Sequence, residues 1–173
     1  MAATTYSLAE LNAMPAAAFV ATLGDVFEHA PWVAERAAVG RPYPSVPALH
    51  EALMQVVHAA PRPTKLAFLR GHPELGGKVA RAGAMTEASQ SEQGGLGLDR
   101  LNDEEFVRFE RLNAAYRERF GFPFIIAVRR HTRASILAEF EQRLHNDETA
   151  ELAAALAEIG HITRLRLDTK IRD

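Results

Sequence analysis

Apolar side chains recur every three or four positions along most of this chain. Such spacing places them on one face of an α-helix, and that face must be buried against another element. The run FIIAV at 124–128 is the one stretch with β-like composition, and a single strand has nothing to pair with. The chain is therefore predicted to be all-α. The clearest helix spans 104–120, and its apolar face consists of Phe106, Phe109, Leu112, Tyr116 and Phe120.

Capping residues and prolines divide the chain into separate helices. Ser7 with Glu10, and Asn102 with Glu105, have the spacing of a capping box at a helix start. Prolines begin or interrupt several of the other helices. With 173 residues, of which 47% are hydrophobic, the chain can bury a core of its own. We predict a single compact domain over residues 1–173 with about eight helices. The further helices are predicted over 16–30, 32–39, 48–60, 135–145 and 147–167.

Composition excludes several classes of protein. The 20 basic residues are interleaved with 22 acidic ones and the net charge is −2, so binding to nucleic acid or to an anionic membrane is not expected. No run approaches the roughly 20 apolar residues of a membrane span, and the first eight residues lack the features of a secretory signal. The absence of cysteine excludes disulfides, thiolate nucleophiles and thiolate metal sites. We expect a cytoplasmic protein.

Two short polar stretches carry side chains suited to acid-base chemistry. His72 titrates near neutrality, and Pro73 after it restricts its backbone to an extended conformation. Glu92 supplies a carboxylate and Gln93 an amide that both donates and accepts. Ser89 has capping-box spacing to Glu92, which predicts a helix start whose free N–H groups favour an anion. From the residues alone, His72 also fits a structural role beside a helix that begins at Pro73.

The segment Phe120–Ile125 and the side chain of Arg166 are further candidates. The segment is an apolar turn, which fits core packing as well as the wall of a pocket. Arg166 continues the apolar stripe of the last helix at helical spacing. An inward arginine needs an anion, a carbonyl or solvent; the alternative is a side chain that reaches the surface from the edge of the stripe.

Longer stretches resemble one known family. They are HPELGGK at 72–78, the SxxEQ pattern at 89–93 with the run 95–128 after it, the closing stretch 146–167, and the N-terminal stretch 7–37. Together they resemble the 2-oxo-4-hydroxy-4-carboxy-5-ureidoimidazoline (OHCU) decarboxylases of urate breakdown, in order over nearly the whole chain. Two positions depart from the family pattern: Ala88 stands where a glutamate is common, and Leu96 interrupts a run of small residues.

The resemblance implies an enzyme, a carboxy-lyase that converts OHCU to (S)-allantoin and carbon dioxide. Members of the family are all-helical, use no cofactor and are usually dimeric, so it also implies a homodimer without cofactor or metal. In this substrate the carbon that bears the carboxylate adjoins a ring C=N, which can take up the electrons released with carbon dioxide. The substrate therefore supplies the electron sink that a cofactor provides in other decarboxylases.

The resemblance also implies a set of site residues. His72 and Glu92 would be catalytic: the imidazole takes the proton of the substrate hydroxyl or relays a proton to the ring, and the carboxylate orients the imidazole or accepts from substrate N–H groups. An apolar wall would exclude water and strengthen each polar contact. The residues implied to bind the substrate are Pro73, Ser89, Gln93, Phe122, Phe124, Ile125 and Arg166.

Three alternatives stay open at the level of sequence. A family member acting on a related ureido acid would keep the site and change the substrate. A helical interaction module without chemistry would use the Phe-rich helix as a docking face. A metal-dependent hydrolase would need a third ligand beside His72 and Glu92, and neither an HExxH motif nor a close pair of histidines is present.

Overall fold

The protein is mainly helical, as the sequence predicts. The computed structural model describes residues 4–173. The all-α class is confirmed, and no helix in the described part of the chain is both long and apolar enough to cross a membrane. The helices are α1 (Leu8–Ala13), α2 (Ala16–Leu23), α3 (Pro31–Ala37), α4 (Val46–Ala59), α5 (Arg62–Arg70), α6 (Lys78–Ala82), α7 (Glu87–Gly95), α8 (Asp103–Phe120), α9 (Arg133–Arg143) and α10 (Glu148–Lys170).

Both predicted capping boxes are present. The Ser7 hydroxyl accepts from the Glu10 N–H at 3.2 Å, and the Glu10 carboxylate accepts from the Ser7 N–H at 2.7 Å. Asn102 and Glu105 make the same reciprocal pair at the start of α8, at 2.9 and 3.1 Å. Each pair satisfies backbone donors that the first turn of a helix leaves unpaired. At its other end α8 stops at Gly121, whose φ of 75° suits a residue without Cβ.

The first compact unit contains the described residues up to Gly71 together with Gly160–Asp173. Strand β1 (Tyr6–Ser7) pairs in parallel with β2 (Ile171–Arg172), with Tyr6 opposite Ile171. This short pairing ties together the two ends of the described chain. The largest fully buried apolar side chains of the unit are Phe19, Phe27, Leu11, Leu23, Leu49, Leu53 and Leu69.

The second compact unit runs from His72 to Ile159 and has an aromatic core. It contains α6 to α9 and the α10 residues up to 159. Phe124 stacks on Phe140 with 3.9 Å between ring centroids and 10° between planes, and Tyr116 meets these two rings edge-on at 5.4 and 5.9 Å. The edge-to-face contacts of Tyr116 are an arrangement that aromatic quadrupoles favour. The core therefore fixes the segment that follows α8. The single-domain assignment over residues 1–173 stays a prediction.

The helix predicted over 16–30 is shorter than expected. Helix α2 ends at Leu23, and turns occupy the chain from Gly24 to His29. Glu28 has a φ of 53°, which no helical residue adopts. Ala30 precedes Pro31, and the helical conformation is disfavoured for a residue before proline. The apolar spacing continued past Leu23 because Val26 and Phe27 are buried in the turns, not because the helix continues.

Helix α7 begins three residues earlier than predicted. Its N-cap is Thr86, whose hydroxyl accepts from the Ser89 N–H at 3.3 Å. The prediction that Ser89 itself starts the helix is wrong, because threonine is also a good N-cap and here takes that place. Ser89 lies in the first turn of α7 and is buried.

Candidate active site

His72 lies on the loop that joins α5 to α6, at the start of the second compact unit. Its side chain is buried, with 8% of the residue exposed. The loop continues through Pro73 and Glu74, which are half-buried, to Leu75 and Gly76, which are buried. A loop this deeply buried must have partners for its backbone groups. Those partners come from α7 and α8.

Gln93 of α7 binds the loop on both sides of Leu75. Its amide oxygen accepts from the Gly76 N–H at 3.0 Å, and its amide nitrogen donates to the Glu74 carbonyl at 3.0 Å. Ser89, which is buried, lies one turn before Gln93 on the same face of α7. Glu92, which is half-buried, is the sequence neighbour of Gln93 and lies one turn after Ser89. Gln93 serves as a support of the loop that carries His72, and the placement of Ser89 and Glu92 at that loop stays a prediction.

Helix α8 holds the same loop from a second direction. The Asn113 amide donates to the Leu75 carbonyl at 2.9 Å, and Arg117 forms an ion pair with Glu74. Sequence analysis missed both residues, because the polar face of α8 has the mixed charge of a solvated surface. The available signal was Asn113 itself, since asparagine is a poor residue for a helix interior unless its amide has a partner.

Gly76 is a position where the loop leaves little room for a side chain. Its φ is +60°, and an added Cβ would lie 2.8 Å from Leu101 Cδ1 and 3.2 Å from the Phe109 ring. Only glycine adopts this backbone conformation without strain. The loop can therefore approach these two side chains closely because Gly76 has no side chain.

We expect Gly76→Ala to lower the free energy of unfolding by about 2–5 kcal/mol. A left-handed conformation costs an L-residue about 1–2 kcal/mol, and overpacking adds about 1–3 kcal/mol. Urea unfolding of the purified protein measures the loss. Gly83→Ala is the matched control, because Gly83 has a φ of +65° but nothing within 4 Å of an added Cβ. Equal losses in the two variants would contradict the steric account of Gly76.

The three predicted residues after α8 are all buried, and side chains hold the segment by its backbone. Phe122, Phe124 and Ile125 are each at most 3% exposed. The Ile125 carbonyl accepts from Arg143 Nη1 at 2.8 Å, and the Ala127 N–H donates to Glu158 at 2.8 Å.

The N–H groups of the three residues before Ala127 differ from that of Ala127. Within residues 4–173, none of the hydrogen bonds uses the N–H of Phe124, Ile125 or Ile126. Buried peptide donors normally have a partner. The carbonyl oxygens of a ligand are suitable acceptors for these three N–H groups.

Arg166 lies in the first compact unit, where its partners are protein groups. Its Nη2 is 2.7 Å from a carboxylate oxygen of Glu28, and Nη1 donates to the Val26 carbonyl at 3.3 Å. Both charged side chains are buried, at 6% and 2% exposed. The inward arginine therefore has an anion in the protein itself. Its contact with a substrate stays a prediction.

Histidine, aspartate and glutamate side chains do not gather into a metal site of three or more ligands anywhere among the described residues. The second unit instead concentrates an imidazole, a carboxylate, a hydroxyl and an apolar wall. An imidazole is the commonest general acid or base in enzymes, and apolar walls are typical of small-molecule sites. These groups suit acid-base chemistry on a small polar molecule.

Comparison with known proteins identifies the family of the chain. Residues 12–168 match the family model of OHCU decarboxylase. The chain is 42% identical over 161 residues to the 2-oxo-4-hydroxy-4-carboxy-5-ureidoimidazoline decarboxylase of Haloferax volcanii, covering 93% of this chain and 94% of that protein. It is 38% identical over 165 residues to the protein of the same name from Halalkalicoccus jeotgali, covering 95% of this chain and 92% of the relative.

A solved structure has the same fold. The crystal structure of (S)-allantoin synthase superimposes with a TM-score of 0.74 at 29% sequence identity, over 95% of this chain and 54% of that one. The match in sequence thus extends to the arrangement of the helices. Because the family model covers most of the chain and the relatives match over nearly their whole length, this chain belongs to the OHCU decarboxylase family.

Proposed function

We propose that this protein is a decarboxylase that converts OHCU to (S)-allantoin in the breakdown of urate. The observation that carries the proposal is the double contact of Gln93 with the loop at Glu74 and Gly76. It ties the helix that carries Glu92 to the loop that carries His72, which supports the proposal that the imidazole and the carboxylate serve one site. The family supplies the substrate, and the site supplies groups suited to its chemistry.

The reaction requires little beyond proton transfer and orientation. When the bond to the carboxylate breaks, its electron pair moves into the neighbouring C=N of the ring. The ring nitrogen that receives this pair takes up a proton. The hydroxyl on the carbon that bore the carboxylate then loses its proton and becomes a carbonyl, and the former imine carbon accepts a proton, so the carboxylate form of the substrate consumes one proton overall. A protein that delivers the carbon-bound proton to one face produces one enantiomer. Because the substrate provides the electron sink, we propose that no cofactor and no metal take part.

His72 and Glu92 are the catalytic residues in this proposal. The imidazole takes the hydroxyl proton or delivers a proton to the ring, as a general base or acid near neutral pH. The carboxylate of Glu92 orients the imidazole or accepts from the N–H groups of the substrate. Burial of His72 favours the proposal, since a buried imidazole is held in one orientation and shielded from bulk water.

The remaining predicted residues are assigned to substrate binding. Pro73 fixes the backbone beside His72, and Ser89 lies on the face of α7 that carries Glu92. The segment Phe122–Ile125 forms an apolar wall, and its open N–H groups match the ring and ureido carbonyls. Gln93 and Arg166 are also proposed to bind the substrate, in addition to the contacts that each makes within the protein.

A homodimer and a cytoplasmic location are proposed from the family resemblance and the composition. Sedimentation equilibrium tests the first: a mass near twice 19.0 kDa is expected, and a monomer at micromolar concentration would contradict it. Fractionation of cells that express the native chain tests the second.

The test of the activity is the rate of substrate loss. Freshly generated OHCU is followed by its ultraviolet absorbance with and without the protein, and again after treatment with a chelator. We expect loss well above the spontaneous rate, unchanged by the chelator. A spontaneous rate in every sample would reject the proposal. In that case, turnover of a related ureido acid supports the second substrate class, and no turnover supports an interaction module.

A further inference from the structure

A buried ionic cluster lies beside the segment Phe122–Ile125. The Glu151 carboxylate is 0% exposed, and Arg143 Nε donates to one of its oxygens at 2.8 Å. The Tyr116 hydroxyl donates to the same oxygen at 2.5 Å, and the Asn146 amide donates to the other at 2.9 Å. Burial and this hydrogen bond raise the pKa of Tyr116, so its hydroxyl stays protonated as a donor. Every partner of the carboxylate is a hydrogen-bond donor from α8, α9 or the turn before α10.

Stability alone does not account for this cluster. A buried ion pair loses its hydration, and well-packed apolar residues of the same volume are often as stable or more stable. The neighbouring core is aromatic and apolar, so such packing was available. A buried arginine also brings something that an apolar side chain lacks, a planar fork that holds several acceptors in fixed directions.

The fork of Arg143 is directed at the segment after α8. While Nε binds Glu151, Nη1 donates to the Ile125 carbonyl at 2.8 Å. The guanidinium also covers the Phe124 ring at 4.4 Å. Arg143 therefore fixes one peptide group and one ring of the segment Phe122–Ile125, and Glu151 fixes Arg143. The Ile125 carbonyl belongs to the peptide unit that carries the open N–H of Ile126.

We propose that Arg143, held by Glu151, is a positioning residue of the proposed active site. It fixes the peptide units from Phe124 to Ile126 so that their N–H groups meet the carbonyl oxygens of a ureido substrate. The inference rests on the proposed function for the identity of the substrate. Arg143 contacts the segment Phe122–Ile125 from the core and acts through its backbone. It therefore affects the binding of the substrate, while the proton transfers are assigned to His72 and Glu92.

Arg143→Lys tests the proposal. Lysine keeps the positive charge beside Glu151, but its single ammonium cannot reproduce the planar fork that binds Glu151 and the Ile125 carbonyl together. A hydrogen bond to the substrate that is lost or misaligned weakens binding by up to about tenfold. We expect KM to rise about tenfold or more, and the Kd of (S)-allantoin to rise in parallel. We expect kcat to stay within about twofold, with an unchanged pH profile.

Arg108→Lys is the matched control. Arg108 pairs with Glu141 at 2.6 Å on the surface of the same compact unit, with both side chains exposed. It makes no contact with Phe124 or Ile125 in the described structure. We expect KM and kcat of this variant to match the unaltered protein.

Amide hydrogen exchange supplies a readout independent of activity. In Arg143→Lys, exchange of the Ile125 and Ile126 amides is expected to accelerate about tenfold, while the amides in the middle of α8 keep their rates. If Arg143→Lys does not fold, Tyr116→Phe takes its place, since it removes one donor to Glu151 and keeps the ring; a smaller rise of KM in the same direction is expected.

The outcomes separate the two proposals. If the unaltered protein does not turn over OHCU, the proposed function fails. If it does, and the lysine variant keeps its KM and its exchange rates, the positioning role is rejected. A fall of kcat with unchanged KM would also reject it, because it would assign Arg143 to the chemical step.

Discussion

Replacing His72 by alanine is expected to lower kcat by about a hundredfold to ten-thousandfold, which is the range that general acid-base catalysis contributes. The side chain is buried at the loop between α5 and α6, and its removal leaves the backbone supports at Glu74, Leu75 and Gly76 in place. We therefore expect the free energy of unfolding to change much less than the rate. Steady-state kinetics on freshly generated OHCU, with urea unfolding in parallel, measures both.

His145→Ala is the control for this variant. His145 is exposed and lies in the same compact unit, so its removal is expected to leave kcat unchanged. Glu92→Gln should also lower kcat, because the amide keeps the shape of the carboxylate but cannot stabilise an imidazolium. A His72→Ala protein that is folded and as active as the unaltered chain would remove His72 from the mechanism.

Replacing Glu151 by alanine is expected to lower the free energy of unfolding by about 3–5 kcal/mol, because it leaves the buried Arg143 charge without its anion. The carboxylate accepts from Tyr116, Arg143 and Asn146, so each of these donors also loses a partner. For a chain of this length such a loss lowers Tm by roughly 6–20 °C. Calorimetry and urea unfolding measure the loss.

The double variant Arg143→Met with Glu151→Met separates charge from packing. It removes both charges and fills part of the volume, so it is expected to be more stable than Glu151→Ala. If the positioning role is also correct, the double variant binds (S)-allantoin weakly although it is stable. A Glu151→Ala protein as stable as the unaltered chain would contradict the account of the buried pair.

Several features of the fold could be predicted because their causes are local. The capping boxes at Ser7 and Asn102 depend on side chains three residues apart, and the structure has both. The apolar spacing of α8 predicted its length closely, and Gly121 supplied its stop. The sequence of the run 124–128 fits a buried extended segment or a helix start. Residues 124–127 lie outside helix and strand, before a short 3-10 turn at Val128–Arg130.

Other features could not be predicted because their causes are distant in sequence. Helix α5 has few apolar residues and no side-chain cap, so nothing in its own sequence distinguished it. The bonds from Asn113 to Leu75 and from Arg143 to Ile125 join residues 38 and 18 positions apart. Charged residues in a helix are usually solvated, so Arg143 gave no sign of burial. The proposed catalytic residues were found through the family resemblance, and their supports only through the structure.

The most direct test of the account is the chirality of the product. OHCU is generated in the cuvette from urate with urate oxidase and the hydrolase that follows it, this protein is added, and allantoin is followed by circular dichroism. The account predicts rapid appearance of optically active (S)-allantoin, because a proton delivered by groups of a fixed site reaches one face of the ring. Slow formation of racemic allantoin at the spontaneous rate would contradict it.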